Sequence, residues 1–275
     1  MKGPVRILYI SSEITPYVPE TVCSLVGRYM PQAAQEAGFE IRAFMPKYGL
    51  INERRNQLHE VIRLSGMNIP VNDIDRPLVI KVASISQAKM QVYFIENEDY
   101  FKRKFVFRDE QDKFFADNDE RAILFARGTL ETVKKLRWQP NIVHCNGWMT
   151  NLIPAYLKLT YKNDPIFADT KVIVSLYNDA HKERFSSDFA KKALVDGVKP
   201  ADMELLKTPT GINLAKLAVK YADGVIAGSK DLSKEVLDEC KKRKIPTLSY
   251  SEISATNTAY TAKYIKFYNE KFLKE

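Results

Sequence analysis

Val5-Arg6-Ile7-Leu8-Tyr9-Ile10-Ser11, followed by Ser12-Glu13-Ile14-Thr15-Pro16-Tyr17-Val18-Pro19-Glu20, decides the fold. The opening residues form a nearly continuous apolar run of strand formers, the pattern of a strand covered on both faces of a parallel sheet. A helix is expected next, from about Thr21 to Ala37, ending at Gly38. A strand feeding a helix at the start of an α/β chain is where nucleotide phosphates usually sit, held by a glycine-rich turn and the helix N-terminus. This turn has no glycine from Ser11 to Val26, and Pro16 and Pro19 stiffen it and remove backbone donors. Scaffold and chemistry therefore point in different directions.

Working outward, apolar runs alternate with helical stretches, which predicts an α/β fold: a Rossmann-like, doubly wound, mostly parallel sheet with helices on both faces. Strands are expected at 39–44, 90–95, 142–145, 171–175 and 224–229, and helices at about 118–136, 150–160, 232–244 and 258–273. The acidic run Asp117-Asn118-Asp119-Glu120 is expected to cap the second helix, and Ser229 or Asp231 the helix after 232. Between 50 and 90 the rhythm slackens. The short runs 59–64 and 78–83 predict a small antiparallel hairpin insertion. The aromatic stripe Tyr260, Tyr264, Phe267, Tyr268 and Phe272 reads as a closing helix packed back on the sheet, within one domain spanning 1–275.

Composition narrows the function. The apolar runs are far shorter than the roughly 20 residues of a membrane span, and no apolar leader opens the chain, so a cytoplasmic protein without membrane association is expected. Cys23, Cys145 and Cys240 are scattered and odd in number, as are His59, His144 and His181, so neither a disulfide framework nor a metal site is expected, and no cofactor. A net charge of +8 arises from short clusters at loops and helix ends; without a reading helix or stacking motif it does not predict nucleic-acid binding. His144 reads as a satisfied core histidine in a buried strand and His181 as a solvated loop residue.

At this point the residues resemble a family. Ile7-Leu8-Tyr9-Ile10-Ser11-Ser12-Glu13, Phe44-Met45-Pro46-Lys47-Tyr48-Gly49, Val92-Tyr93-Phe94-Ile95-Glu96-Asn97, Asn118-Asp119-Glu120-Arg121, Pro140-Asn141-Ile142-Val143-His144-Cys145-Asn146-Gly147-Trp148 and Tyr221-Ala222-Asp223-Gly224-Val225, in this order and spacing, are similar to the N-terminal domain of bacterial glycogen and plant starch synthases. These are ADP-glucose-dependent α-1,4-glucan glucosyltransferases. The resemblance implies half of a two-domain GT-B glycosyltransferase, the acceptor side, without the C-terminal domain that holds most of the donor.

The same resemblance marks departures. Where the family has a Lys-Thr-Gly-Gly-Leu loop approaching the donor phosphates, this chain has Pro19-Glu20-Thr21-Val22-Cys23, so attraction becomes repulsion. Where the family has Asn-Asp-Trp-His-Thr, Asn146-Gly147-Trp148-Met149-Thr150 stands, losing a carboxylate and an imidazole. Tyr177 with Asn178 replaces a His-Asn pair. The degenerate positions are thus Pro19, Thr21, Val22, Gly147, Met149 and Tyr177. Ser12, Glu13, Tyr17, Asn146, Trp148, Tyr177 and Asn178 remain as cleft or ligand candidates, with no catalytic residue assigned. Trp148 is read evenly as a sugar-stacking ring or as packing.

The expectation is a glycogen/starch synthase-like domain in α-glucan metabolism, catalytically degenerate or inactive alone. The alternatives are one half of a split glucosyltransferase, using ADP-glucose or UDP-glucose only when a separate C-terminal domain docks, or a non-catalytic regulator binding α-glucan or a protein.

Overall fold

The computed structural model describes residues 3–254, 256 and 258–273. In chain order the strands are β1 (Arg6–Ser11), β2 (Glu40–Pro46), β3 (His59–Glu60), β4 (Asn68–Val71), β5 (Ile74–Pro77), β6 (Val79–Ile85), β7 (Met90–Glu96), β8 (Ile142–Asn146), β9 (Lys171–Leu176), β10 (Gly224–Ala227) and β11 (Thr247–Leu248). The helices are α1 (Val22–Glu36), α2 (Glu98–Phe101), α3 (Asn118–Lys135), α4 (Ile153–Leu159), α5 (Phe189–Lys192), α6 (Gly211–Tyr221), α7 (Lys234–Arg243) and α8 (Ala259–Lys271).

Nine strands form one sheet in the order β11-β10-β9-β8-β1-β2-β7-β6-β3. It is parallel from β11 to β7 and antiparallel at β6 and β3. β1 lies fully inside, with Ile7, Leu8 and Ile10 at zero exposure, which is why its sequence is a continuous apolar run. From β1 the chain winds one way to β2 and β7 and later the other way through β8 to β11. The topological switch therefore falls between β1 and β8, where open α/β sheets leave a crevice at the strands' carboxyl ends. α1 and α8 pack together beside β1 and β8, while α3, α4, α6 and α7 form the contacts of the opposite layer. Among the described residues no helix is long and apolar enough to cross a membrane.

Several local expectations are corrected. The expected antiparallel insertion is present, with the runs 59–64 and 78–83 paired, but only at His59–Glu60, because the chain turns at Val61. A separate hairpin, β4–β5, closes on Asn72 and Asp73, both in the left-handed region that short polar side chains tolerate. The helix expected over 150–160 is split into a 3-10 turn, Trp148–Thr150, and α4, with Pro154 in the first turn of α4. Asp117 precedes α3, but its carboxylate binds Arg103 instead of capping, and Asp119 binds Lys192. Ser229 and Asp231 do not cap α7; Ser233 stands at its start, and Asn178 holds the preceding loop through the Ser229 hydroxyl and the Asp231 backbone carbonyl.

Candidate functional site

The switch-point crevice is built from the turns that leave β1, β8 and β9. Parallel register sets Ser11 beside Asn146 and Asn146 beside Ser175, so these turns begin at one level. Asn146 is the hub. Its Nδ2 donates to Ser11 Oγ at 2.7 Å and to the Cys23 carbonyl at 2.9 Å, and its Oδ1 accepts from Tyr177 Oη at 2.6 Å. All four side chains are buried.

Two glycines show how tightly the space is closed. Gly147 adopts φ +88°, and a Cβ there would lie 2.6 Å from Ser12 Oγ and 2.8 Å from Cys23 Sγ. A Cβ on Gly228 would overlap the Tyr177 ring. Close backbone approaches of this kind are where a ligand's phosphates are normally admitted. Here the chain's own Ser12, Cys23 and Tyr177 occupy them.

The crevice is also acidic. Glu13 is buried, and its carboxyl is pushed up to about 8, chiefly by burial and then by the neighbouring Asp179. Asp179 is exposed as a residue; desolvation raises its carboxyl to about 6, against the stabilising N–H groups of Ala180, of its own residue and of Trp148. Among the described residues, no ion pair involves either acid. The mouth continues as Pro19, Glu20, Thr21 and Val22, all exposed. Thr21 caps α1 by a reciprocal bond with Ser24, which engages the N–H groups of Thr21 and Ser24.

Of the residues singled out from sequence, Ser12, Glu13, Asn146, Gly147, Trp148, Met149 and Tyr177 converge here. Ser12 Oγ accepts the Met149 N–H at 3.2 Å, and its carbonyl accepts the Tyr48 hydroxyl at 2.9 Å. Trp148 is 4% exposed, with ring centroids of Phe107 at 4.9 Å, Phe185 at 5.4 Å and Phe114 at 5.6 Å. Of its two readings, packing describes this ring. Tyr17 turns away and meets Phe94 edge-on at 4.9 Å. Asn178 instead fastens the loop before α7, through Ser229, Asp231 and Ser233.

His144 is fully buried and held neutral, its pKa lowered to about 3 by burial. Its ring nitrogens lie 2.7 Å from Ser175 Oγ and 2.7 Å from Tyr268 Oη. His181 corrects the solvated reading: it is half-buried and its pKa is lowered by burial. Sequence reasoning missed Asp179, Tyr48 and the role of Cys23. Asp179 directly follows the Tyr177-Asn178 pair that was singled out, which is the signal that would have found it. Among the described residues no group of three or more His, Cys, Asp or Glu could hold a metal ion, and all three cysteines are free.

Comparison with known proteins places this geometry. Residues 6–245 match the starch synthase catalytic domain family. A glycogen synthase of Chlorobium luteolum is 34% identical over 251 residues, covering 91% of this chain and 50% of its own length. A glycogen synthase of Chlorobaculum tepidum is 36% identical over 236 residues, covering 85% of this chain and 48% of its own length. The catalytic domain of Starch Synthase IV from Arabidopsis thaliana, solved bound to ADP and acarbose, superposes with a TM-score of 0.70 at 15% identity over 90% of this chain and 52% of that one, a likeness of fold. The chain spans about half the length of the curated relatives it matches.

Proposed function

We propose, because this chain belongs to the starch synthase catalytic-domain family, that it serves α-1,4-glucan metabolism as an acceptor-side lobe that does not bind a sugar-nucleotide diphosphate at its β1–α1 turn. The observation that carries this reading is the filled crevice: Asn146, Ser11, Tyr177 and Cys23 bond to one another where phosphates would need open N–H groups. The surrounding charge supports it. A pyrophosphate there would face Glu13, Asp179 and Glu20 without a cation in the turn, whereas stabilising a departing nucleotide requires preorganised positive charge. Residues of the 19–23 turn supply no lysine and no glycine to replace it. The three free, buried thiols accord with work in the cytoplasm.

The test is transfer of labelled glucose from ADP-glucose, and separately from UDP-glucose, onto glycogen by the purified chain, with retention on immobilised glucan measured alongside. Glucan retention without transfer is expected. Transfer at about 1 per second or faster would overturn the reading, since that rate is ordinary for enzymes. Transfer that starts only when cell extract is added would favour the split glucosyltransferase, completed by a separate donor-binding domain.

A further inference from the structure

The sheet face beneath α1 and α8 carries two polar layers. Because side chains repeat every second residue along a strand, and β1, β8 and β9 run parallel in register, Tyr9, Ser11, His144, Asn146, Ser175 and Tyr177 share that face. The upper layer is the crevice: Ser11, Asn146 and Tyr177 around Cys23. The layer below it joins His144 to Ser175 at 2.7 Å and to Tyr268 at 2.7 Å. The layers touch through the backbone, since the Gly147 N–H donates to the Ser175 carbonyl at 3.4 Å.

Tyr268 lies on α8, and α8 falls outside residues 6–245 that match the family. The helix is held by apolar contacts as well, with Phe272 packed on Gly224 and Tyr264 fully buried. An imidazole buried at this depth is tolerated only if both nitrogens are bonded, and an apolar residue would fill the space without that condition. A neutral ring has one N–H and one lone pair, so it must give a bond on one side and receive one on the other. That directional chain fixes the positions of β8 and β9 relative to α8 in a way that plain packing does not.

We propose that α8 is a clamp on the crevice, with Tyr268 a positioning residue that acts through His144 and Ser175 to keep Asn146, Gly147 and Tyr177 closed over Cys23. The inference rests on the crevice being the working end of the lobe, but its test needs no sugar and no nucleotide. In the full chain, Tyr268→Phe removes one hydroxyl and keeps the ring. Site-resolved alkylation with iodoacetamide then reads three buried thiols: Cys23 in the upper layer, Cys145 on β8 facing the opposite layer, and Cys240 on α7.

Cys23 is expected to react on the order of tenfold faster, as loss of one buried hydrogen bond implies, while Cys145 and Cys240 keep their rates. Phe272→Leu is the companion: it trims packing on Gly224 just beyond the last turn of α8 and leaves the Tyr268–His144–Ser175 relay in place, so it is expected to leave Cys23 slow. An unchanged Cys23 rate in Tyr268→Phe, equal acceleration of all three thiols, or equal acceleration of Cys23 by both variants would each overturn the clamp.

Discussion

The two layers on one face of the same three strands make an instructive contrast. The lower layer, His144 with Ser175 and Tyr268, is deeply buried and neutral, and every histidine nitrogen has a partner. The upper layer, two residues further along, keeps equally short bonds at Asn146 but adds two raised carboxyls that form no ion pair among the described residues. Burial alone explains the first layer: a satisfied polar network costs little and specifies one packing. It does not explain the second, where retained acids lower stability as they ionise. The difference teaches that apolar strands hold the fold of the lobe, while polar side chains of the chain itself fill the crevice at their ends.

The sharpest way to break that contrast is Gly147→Ala. Positive φ and contacts of 2.6 and 2.8 Å leave the new methyl no room, so a loss of roughly 3 kcal/mol is expected in urea unfolding. A near-neutral result would mean that the crevice is open.

The acids give the next effect, and its sign differs between layers. Glu13 has a folded pKa of about 8, above its ordinary value, so its contribution is complete at low pH and is lost as pH rises through 8. His144, lowered to about 3, contributes above its ordinary pKa and is lost as pH falls towards 3. Asp179, raised to about 6, loses most of its contribution by about pH 7. Between pH 6.5 and 8 Glu13 therefore dominates among these groups, and stability should fall by up to about 2 kcal/mol. Glu13→Gln should flatten that slope in melting curves taken across the window. A slope that survives the substitution would show that another group is responsible.

Tyr177→Phe follows, leaving the Asn146 Oδ1 atom buried without its donor at a cost of about 1 to 2 kcal/mol in the same unfolding assay. No change would mean that a water replaces the hydroxyl and the plug is loose. The smallest effect is expected from Pro19→Lys combined with Glu20→Thr. A cation at an exposed turn contributes about 1 kcal/mol or less, so calorimetry with ADP should gain no more than about fivefold in affinity while the crevice stays filled. A much larger gain would locate the defect in the turn's charge and not in the packing behind it.

Much of this was legible in the chain. β1, β2 and β7 to β10 follow from runs of apolar residues, and α1 from Thr21 and Gly38, because those signals are local. The hairpin β4–β5 was not, since its strands are mixed with Pro70, Asp75, Arg76 and Pro77, and its turn depends on Asn72 and Asp73 rather than glycine. The start of α7 was misplaced because the segment before it is held as a loop by Asn178, a partner about fifty residues away. The lack of glycine and lysine in the first turn was readable from Pro19 to Cys23. The way its space is filled was not, because Tyr177, Asn146 and Cys23 meet only through strand register, and Tyr268 reaches His144 across 124 positions.

Co-crystallisation of the chain with ADP-glucose tests the central claim most directly. We expect residues 19–23 to carry no ordered nucleotide and Tyr177 to stay bonded to Asn146; an ordered pyrophosphate seated against Pro19 to Cys23 would contradict the account.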